Sequence, residues 1–75
     1  MDSYKVIERK LKELKPFKGN SMSGNYDDRG NYRVYSYLTE IAVKYTLTGG
    51  RTLNCHKYST TTSRHQNLVR RVWDF

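Results

Sequence analysis

The sequence predicts a small α+β domain, in which an antiparallel sheet of three to four strands is flanked by an N-terminal and a C-terminal helix (α-β-β-β-β-α). Apolar residues recur every three to four positions near both ends of the chain, which is typical of amphipathic helices. Between them, apolar and polar residues alternate over short stretches separated by turn residues, which is typical of strands. The 75 residues fit a single domain, 1–75.

Residues 3–15 predict the first helix, and Pro16 ends it because proline cannot continue the hydrogen-bond ladder. One face of this helix is apolar, with residues at spacings of three and four: Tyr4, Ile7, Leu11 and Leu14. The other side is basic, with Lys5, Arg9 and Lys12. Such a face is more often solvated than used for binding, and both interpretations stay open.

The middle of the chain predicts the strands. Residues 16–30 are rich in turn signals, with one short edge strand at 21–26 that points Met22 inward. Residues 31–38 and 41–47 alternate clearly and form two strands, joined by a short connection at Thr39 and Glu40. Gly49 and Gly50 predict a hairpin turn, which leads into the last strand at 51–58.

The alternation predicts which side chains share a face of the sheet. The face covered by the helices is expected to hold the apolar residues Tyr32, Val34, Leu38, Ile41, Val43, Tyr45, Leu47 and Leu53. The opposite face would be open, with aromatic and basic side chains interleaved: Arg33, Tyr35, Tyr37, Lys44, His56 and Tyr58. Bases stack on such rings and phosphates pair with such cations. Alternatively, the tyrosines only stabilise the sheet as cross-strand pairs.

Ser63 is predicted to begin the C-terminal helix, because Ser63 and Gln66 match a capping box. Leu68, Val69, Val72 and Trp73 form its apolar stripe. His65 lies within that stripe, so we expect a hydrogen-bonded core residue rather than a catalytic one.

The C-terminal helix also predicts a second candidate surface. Its exposed side carries Arg64, Arg70 and Arg71, with Arg51 and Lys57 near in sequence. The hydroxyl residues at 59–63 can contact a phosphate together with these arginines. Alternatively, the hydroxyl groups of Thr61, Thr62 and Ser63 only cap the helix.

Charge and cysteine content narrow the class of protein. The formal charge is +7, which attracts polyanions or only keeps a small domain soluble. Residues 1–18 carry +3 and residues 51–75 carry +4, whereas residues 19–50 are neutral. The single cysteine, Cys55, excludes an internal disulfide and favours a reducing compartment. No apolar run is long enough for a membrane span or a signal peptide, so the cytoplasm is expected and no membrane partner.

Catalytic and metal-binding patterns are missing from the sequence. Cys55, His56 and His65 are the only Cys and His residues, and they lack metal-ligand spacing. Ser63 and His65 are two residues apart, so they do not face each other on a helix. We therefore expect no enzyme activity, no catalytic residues, no metal and no cofactor.

The stretches VYSYLTEIA and KYSTTTSRHQ resemble a family of small bacteriophage and prophage proteins, across residues 34–71. That family carries a VYSYxTxIA stretch followed by KYSxTTS(K/R)HQ. The resemblance implies a phage-encoded protein that acts in the bacterial host cytoplasm. It implies no activity and no functional residues.

Two functions remain open from the sequence. The first is binding of nucleic acid, with single strands or RNA favoured, through Arg33, Tyr35, Tyr37, Lys44, Lys57, Tyr58, Arg64, Arg70 and Arg71. The second is binding and modulation of a host protein or a defence-system protein, for which tyrosines and arginines suit an interface. The sequence does not decide the oligomeric state, and a homodimer is one alternative.

Overall fold

The computed structural model describes residues 2–54, 56 and 59–74. The described elements are, in order, α1 (Tyr4–Glu13), β1 (Phe17–Lys18), β2 (Met22–Tyr26), β3 (Tyr32–Ser36), β4 (Thr39–Lys44), β5 (Arg51–Leu53) and α2 (Thr60–Val72). The strands form one antiparallel sheet in sequence order. The predicted α+β class with flanking helices is confirmed, with five strands rather than three or four. No helix in the described part of the chain is long and apolar enough to cross a membrane.

Both helices pack against the same face of the sheet. Ile7 and Leu11 of α1 and Val69 and Trp73 at the end of α2 belong to one buried cluster with the sheet residues Phe17, Met22, Tyr32, Val34, Ile41 and Ala42. Burial of these apolar side chains is the main source of stability in so small a domain. The predicted inward position of Met22 is confirmed, since its side chain is only 2% exposed.

Aromatic side chains hold the C-terminal end of α1. The helix ends at Glu13, and Leu14 takes a left-handed conformation with φ of 55°. Carbonyl groups at a helix end lack helical partners and need other donors. Trp73 Nε1 donates to Leu11 in the last turn (3.1 Å). Tyr26 OH and Tyr32 OH donate to Leu14 (2.6 Å) and Lys15 (2.7 Å), just beyond the helix. Two tyrosines that alternation assigns to the sheet therefore also fix α1 upon it.

A β-bulge in β4 changes which side chains face the helices. Val34 pairs with Ala42, but Tyr35 pairs with Glu40, so Ile41 is an extra residue between them. Ile41 and Ala42 are both buried in the core. A bulge reverses the alternation beyond it. The predicted faces of Val43 and Lys44 were therefore wrong, and Lys44 lies opposite Tyr32 on the helix-covered face.

The hairpin between β3 and β4 turns earlier than predicted. Strand β3 ends at Ser36, and Tyr37 and Leu38 form the turn, while Thr39 and Glu40 belong to β4. Leu38 is 98% exposed at this turn, and Leu47 is 92% exposed in the loop after β4. The predicted inward positions of Leu38 and Leu47 were wrong because both lie beyond the strand ends.

Helix α2 begins three residues earlier than predicted. Ser59 is the N-cap, and its Oγ accepts a hydrogen bond from the backbone N–H of Thr62 at 3.1 Å. The proposed capping box of Ser63 and Gln66 was therefore wrong. Gln66 instead donates from Nε2 to the carbonyl oxygens of Asn54 and His56, so it ties the segment after β5 to the helix.

Gly24 lies where the sheet meets the core, and we predict that Gly24→Ala destabilises the fold. A Cβ at this position would collide with the Phe17 ring and lie 2.8 Å from the Tyr32 hydroxyl. Overpacking of this kind costs about 1–3 kcal/mol. Chemical denaturation would measure the loss. Gly50→Ala is the control, since its nearest neighbour would be 3.4 Å away and the change should be within about 1 kcal/mol. Equal stability of the two variants would contradict this account of the packing.

Candidate nucleic-acid interface

The outer face of the sheet carries a neutralised cation. The strand register places Arg33 and Tyr35 on this face, away from the helices. The Arg33 guanidinium donates to Asp27 at 2.7 Å and to Glu40 at 2.9 Å. The hydrogen bond from Arg33 is the main cause that lowers the pKa of the Asp27 carboxyl below its usual value. Arg33 is therefore committed to two carboxylates and leaves little positive charge for a ligand on this face.

Tyr37 and Lys44, which were predicted for the same face, do not lie there. Tyr37 lies in the hairpin turn, with its ring 6.5 Å from that of His65. The Lys44 ammonium lies 5.9 Å from the centre of the Trp73 ring, on the helix-covered side. His56 follows β5 and is exposed, and Lys57 and Tyr58 lie outside the described residues. The prediction of one face that joins Tyr37 and Lys44 to Arg33 was therefore wrong, because the strand ends at Ser36 and the bulge reorients Lys44.

The arginines of α2 lie on its exposed side, as predicted. Arg64, Arg70 and Arg71 are all exposed. Arg71 donates to Glu8 of α1 at 3.2 Å, whereas Arg64 forms no ion pair with any residue that the structure describes. Arg51 donates to the carbonyl oxygen of Asp74, beyond the C-terminal end of α2.

Helix α1 adds its own cations beside those of α2. The two helices lie together on one face of the sheet, and we name their exposed cations the basic helix surface: Lys5, Arg9, Lys12, Arg64, Arg70 and Arg71. Within the helix bounds there are seven Lys and Arg residues against two Glu, a net of +5. The sequence placed Lys5, Arg9 and Lys12 on a solvated or binding face, and helical periodicity was the signal that separated them from the core.

A groove of about 500 Å³ runs between the two helices across this surface. It is lined by Tyr4, Lys5, Glu8, Arg64, Asn67, Leu68 and Arg71. Tyr4 and Leu68 supply apolar surface, and Glu8 is paired with Arg71. Lys5 and Arg64, by contrast, have no carboxylate partner among the described residues. The groove therefore joins an exposed aromatic ring to positive charge.

His65 lies at the centre of a polar network that includes Tyr4, one of the residues of this groove. Its side chain is 0% exposed, and its Nδ1 lies 2.6 Å from the Ser36 Oγ. Its Nε2 lies 3.1 Å from the Tyr4 hydroxyl and 3.4 Å from the Ser21 Oγ. Hydroxyl groups both donate and accept, so they satisfy a neutral imidazole in either tautomer. The prediction of a hydrogen-bonded core histidine is confirmed.

The network also includes the start of α2. The Thr62 Oγ1 lies 3.0 Å from the Ser36 Oγ and accepts a hydrogen bond from the Ser59 Oγ at 3.1 Å. Ser59 and Thr62 thus use their hydroxyl groups within the fold. This arrangement favours the capping and packing interpretation for these two residues over phosphate binding.

The Ser36 Oγ and the His65 Nδ1 are as close as a catalytic nucleophile and its general base, but both lie in the core of the fold. Both side chains are 0% exposed, so a substrate cannot reach the Ser36 oxygen in this arrangement. Within the described ranges, no carboxylate hydrogen-bonds to the imidazole, whose other nitrogen faces hydroxyl groups. The same part of the chain shows no cluster of three His, Cys, Asp or Glu side chains that could hold a metal ion.

A model for a family of unknown function, DUF8033, matches residues 6–71, so the chain belongs to this family. The match covers α1 except Tyr4 and Lys5, the sheet, and α2 except Val72. No curated protein and no solved structure matches the sequence.

The burial of His65 predicts that acidification weakens the fold. Desolvation lowers the pKa of His65 below its ordinary 6.5. Below pH 6.5 the His65 imidazole of the unfolded chain binds a proton, whereas the buried imidazole of the folded protein stays neutral until a lower pH. The free energy of unfolding is therefore highest above pH 6.5. It decreases below that pH, by at most about 1.4 kcal/mol per pH unit. Denaturation at pH 7.5 and at pH 5.5 would measure this fall.

His65→Asn is the control for this pH effect, since asparagine can still hydrogen-bond to Ser36 but does not titrate. The variant should be less stable than the wild type at pH 7.5, with a flatter pH profile. The Asp2 and Asp27 carboxyls do not interfere, because their pKa values are lowered from 3.8 by hydrogen bonds to Lys10 and Arg33, and they lose their stabilisation only at more acidic pH. Equal pH slopes for wild type and variant would overturn the role given to His65.

Proposed function

We propose that this protein binds nucleic acid through the basic helix surface. One observation carries the proposal: the cations of the two helices outnumber their acidic neighbours, whereas the outer-face cation Arg33 is neutralised by Asp27 and Glu40. Nucleic acid is the polyanion for which such an excess of Lys and Arg is typical. The proposed contact with nucleic acid therefore lies on the helices and not on the outer face of the sheet.

The cations differ in how readily they reach a phosphate. Arg71 is paired with Glu8, and Arg9 lies 4.0 Å from Glu13, so a ligand must compete with those carboxylates. Exposed pairs of this kind contribute little stability and open easily. Lys5, Lys12 and Arg64 have no ion-pair partner among the residues that the structure describes. These three residues are therefore the first contacts that we assign to phosphate.

A protein partner is the second candidate, and the hairpin turn favours it. Leu38 is 98% exposed at the tip, next to Tyr37, and an exposed apolar residue beside an aromatic one suits a protein interface. With the resemblance to phage proteins, the partner would be a protein of the bacterial host or of its defence systems, met in the host cytoplasm. Leu38→Ser separates the two candidates, since it should leave nucleic-acid affinity unchanged and weaken a protein complex.

Arg64→Glu tests the nucleic-acid interface. We expect affinity for a labelled oligonucleotide to fall roughly tenfold or more at low salt, with a salt slope that is smaller by about one. Fluorescence anisotropy over a salt series would measure both quantities. The variant should fold normally, because a glutamate near the beginning of a helix is compatible with the helix dipole.

Arg29→Glu is the matched control for this experiment. It makes the same change in net charge, and Arg29 is exposed in the turn before β3, outside the two helices. We expect a much smaller loss of affinity, limited to the long-range effect of net charge. Equal losses for Arg64→Glu and Arg29→Glu would show that the helices form no specific interface. A wild-type protein without affinity at low salt would reject nucleic-acid binding altogether.

A further inference from the structure

Two exposed tyrosines stand beside the buried His65. Tyr4, at the start of α1, is 55% exposed, and Tyr37, in the hairpin turn, is 59% exposed. Their ring centres lie 6.0 and 6.5 Å from the centre of the same imidazole. The two tyrosines are far apart in the sequence, but both rings lie beside the same imidazole.

Tyr37 is the first residue of the two-residue hairpin turn between Ser36 and Thr39, where the fold requires a positive φ that an aromatic residue adopts poorly. Its φ is 56°, in the left-handed region that Gly and Asn adopt more easily than an aromatic residue. The turn itself is held by the backbone, since the Tyr37 N–H donates to the Ser21 carbonyl oxygen at 2.7 Å. Any residue except proline can make that hydrogen bond. Strained residues of this kind cluster at binding and catalytic sites.

One ring of the pair, that of Tyr4, adjoins the positive charge of the helices. Tyr4 lines the groove between α1 and α2 together with Lys5 and Arg64. A ligand that extends from this groove to the hairpin turn would meet cations first and exposed rings next. Phosphates joined to planar bases have this combination of groups, and stacking on an aromatic ring suits every base.

We propose that Tyr4 and Tyr37 stack on unpaired bases of a single-stranded nucleic acid whose phosphates contact Lys5 and Arg64. This inference rests on the proposed function and names its ligand class. In a duplex the bases are already stacked on each other, so a duplex can use only the cations of this surface. The tyrosines therefore confer preference for single strands.

The test compares binding of a single-stranded oligonucleotide and of a duplex of equal length. Tyr37→Asn should weaken single-strand binding about fivefold or more and leave duplex binding unchanged. The same variant should be at least as stable as the wild type, because asparagine tolerates the left-handed conformation. Tyr37→Phe keeps the ring and should keep the affinity.

Tyr4 is tested by the pair Tyr4→Phe and Tyr4→Leu. Both variants lose the hydroxyl that hydrogen-bonds to His65, so both carry the same loss of that contact. Only Tyr4→Leu loses the ring. We expect Tyr4→Leu to bind single strands about fivefold or more weakly than Tyr4→Phe, with equal duplex binding. Circular dichroism and denaturation would confirm that both variants are folded.

The outcomes separate this inference from the proposed function. Preference of the wild type for single strands, lost in Tyr37→Asn and Tyr4→Leu, supports both. Salt-dependent binding without strand preference, unchanged in those variants, would overturn the stacking role and leave the basic helix surface in place. Absence of binding to either ligand at low salt would reject both together.

Discussion

The hydrogen bond between Ser36 and His65 holds α2 to the end of the middle strand, β3, and the arrangement of the exposed side chains around it depends on this contact. The two atoms lie 2.6 Å apart within the core, and the other ring nitrogen of His65 meets hydroxyl groups from Tyr4 and Ser21. A buried polar group that loses its partner costs about 1–3 kcal/mol. Both helices, the start of β2 and the end of β3 are therefore kept in one arrangement, which places the exposed rings and Arg64 relative to each other.

The elements of the fold could be predicted from local pattern, but the faces of the sheet could not. Periodicity identified both helices, the strand that contains Met22 and the buried position of His65. It failed beyond Ile41, for Val43 and Lys44, because a bulge adds one residue on one strand and depends on the pairing with the neighbouring strand. It also failed at Tyr37 and Leu38, since a turn made of two large side chains lacks the Gly or Asn that marks such turns.

The candidate site shows the same division between local and non-local information. The exposure of Arg64, Arg70 and Arg71 follows from helical spacing, and so does the basic side of α1. Whether an acidic side chain neutralises a given cation does not follow from the spacing of residues in the sequence. Arg33 meets Asp27 and Glu40 through the strand register, and Arg71 meets Glu8 only because the two ends of the chain pack together. The sequence therefore showed how many charges each segment carries. Which cations are paired with an acidic side chain became known only from the contacts in the structure.

The tyrosines divide into those used by the fold and those left at its surface. Tyr26 and Tyr32 donate their hydroxyl hydrogens to carbonyl groups beyond the end of α1, and burial raises the pKa of the Tyr32 phenol, so it remains a donor. Tyr4 contributes its hydroxyl to His65 but keeps much of its ring exposed.

Tyr37 differs from these three, because its side-chain hydroxyl has no hydrogen-bond partner in the described part of the chain. Leu14 and Asp74 also have positive φ, but each lies just after a helix, where the left-handed conformation is common. A strained backbone costs stability, and at Tyr37 neither deep burial nor a side-chain hydrogen bond offsets that cost. Within the domain the ring contacts only the edge of the core at His65, so the base stacking proposed for Tyr37 would compensate for the strain.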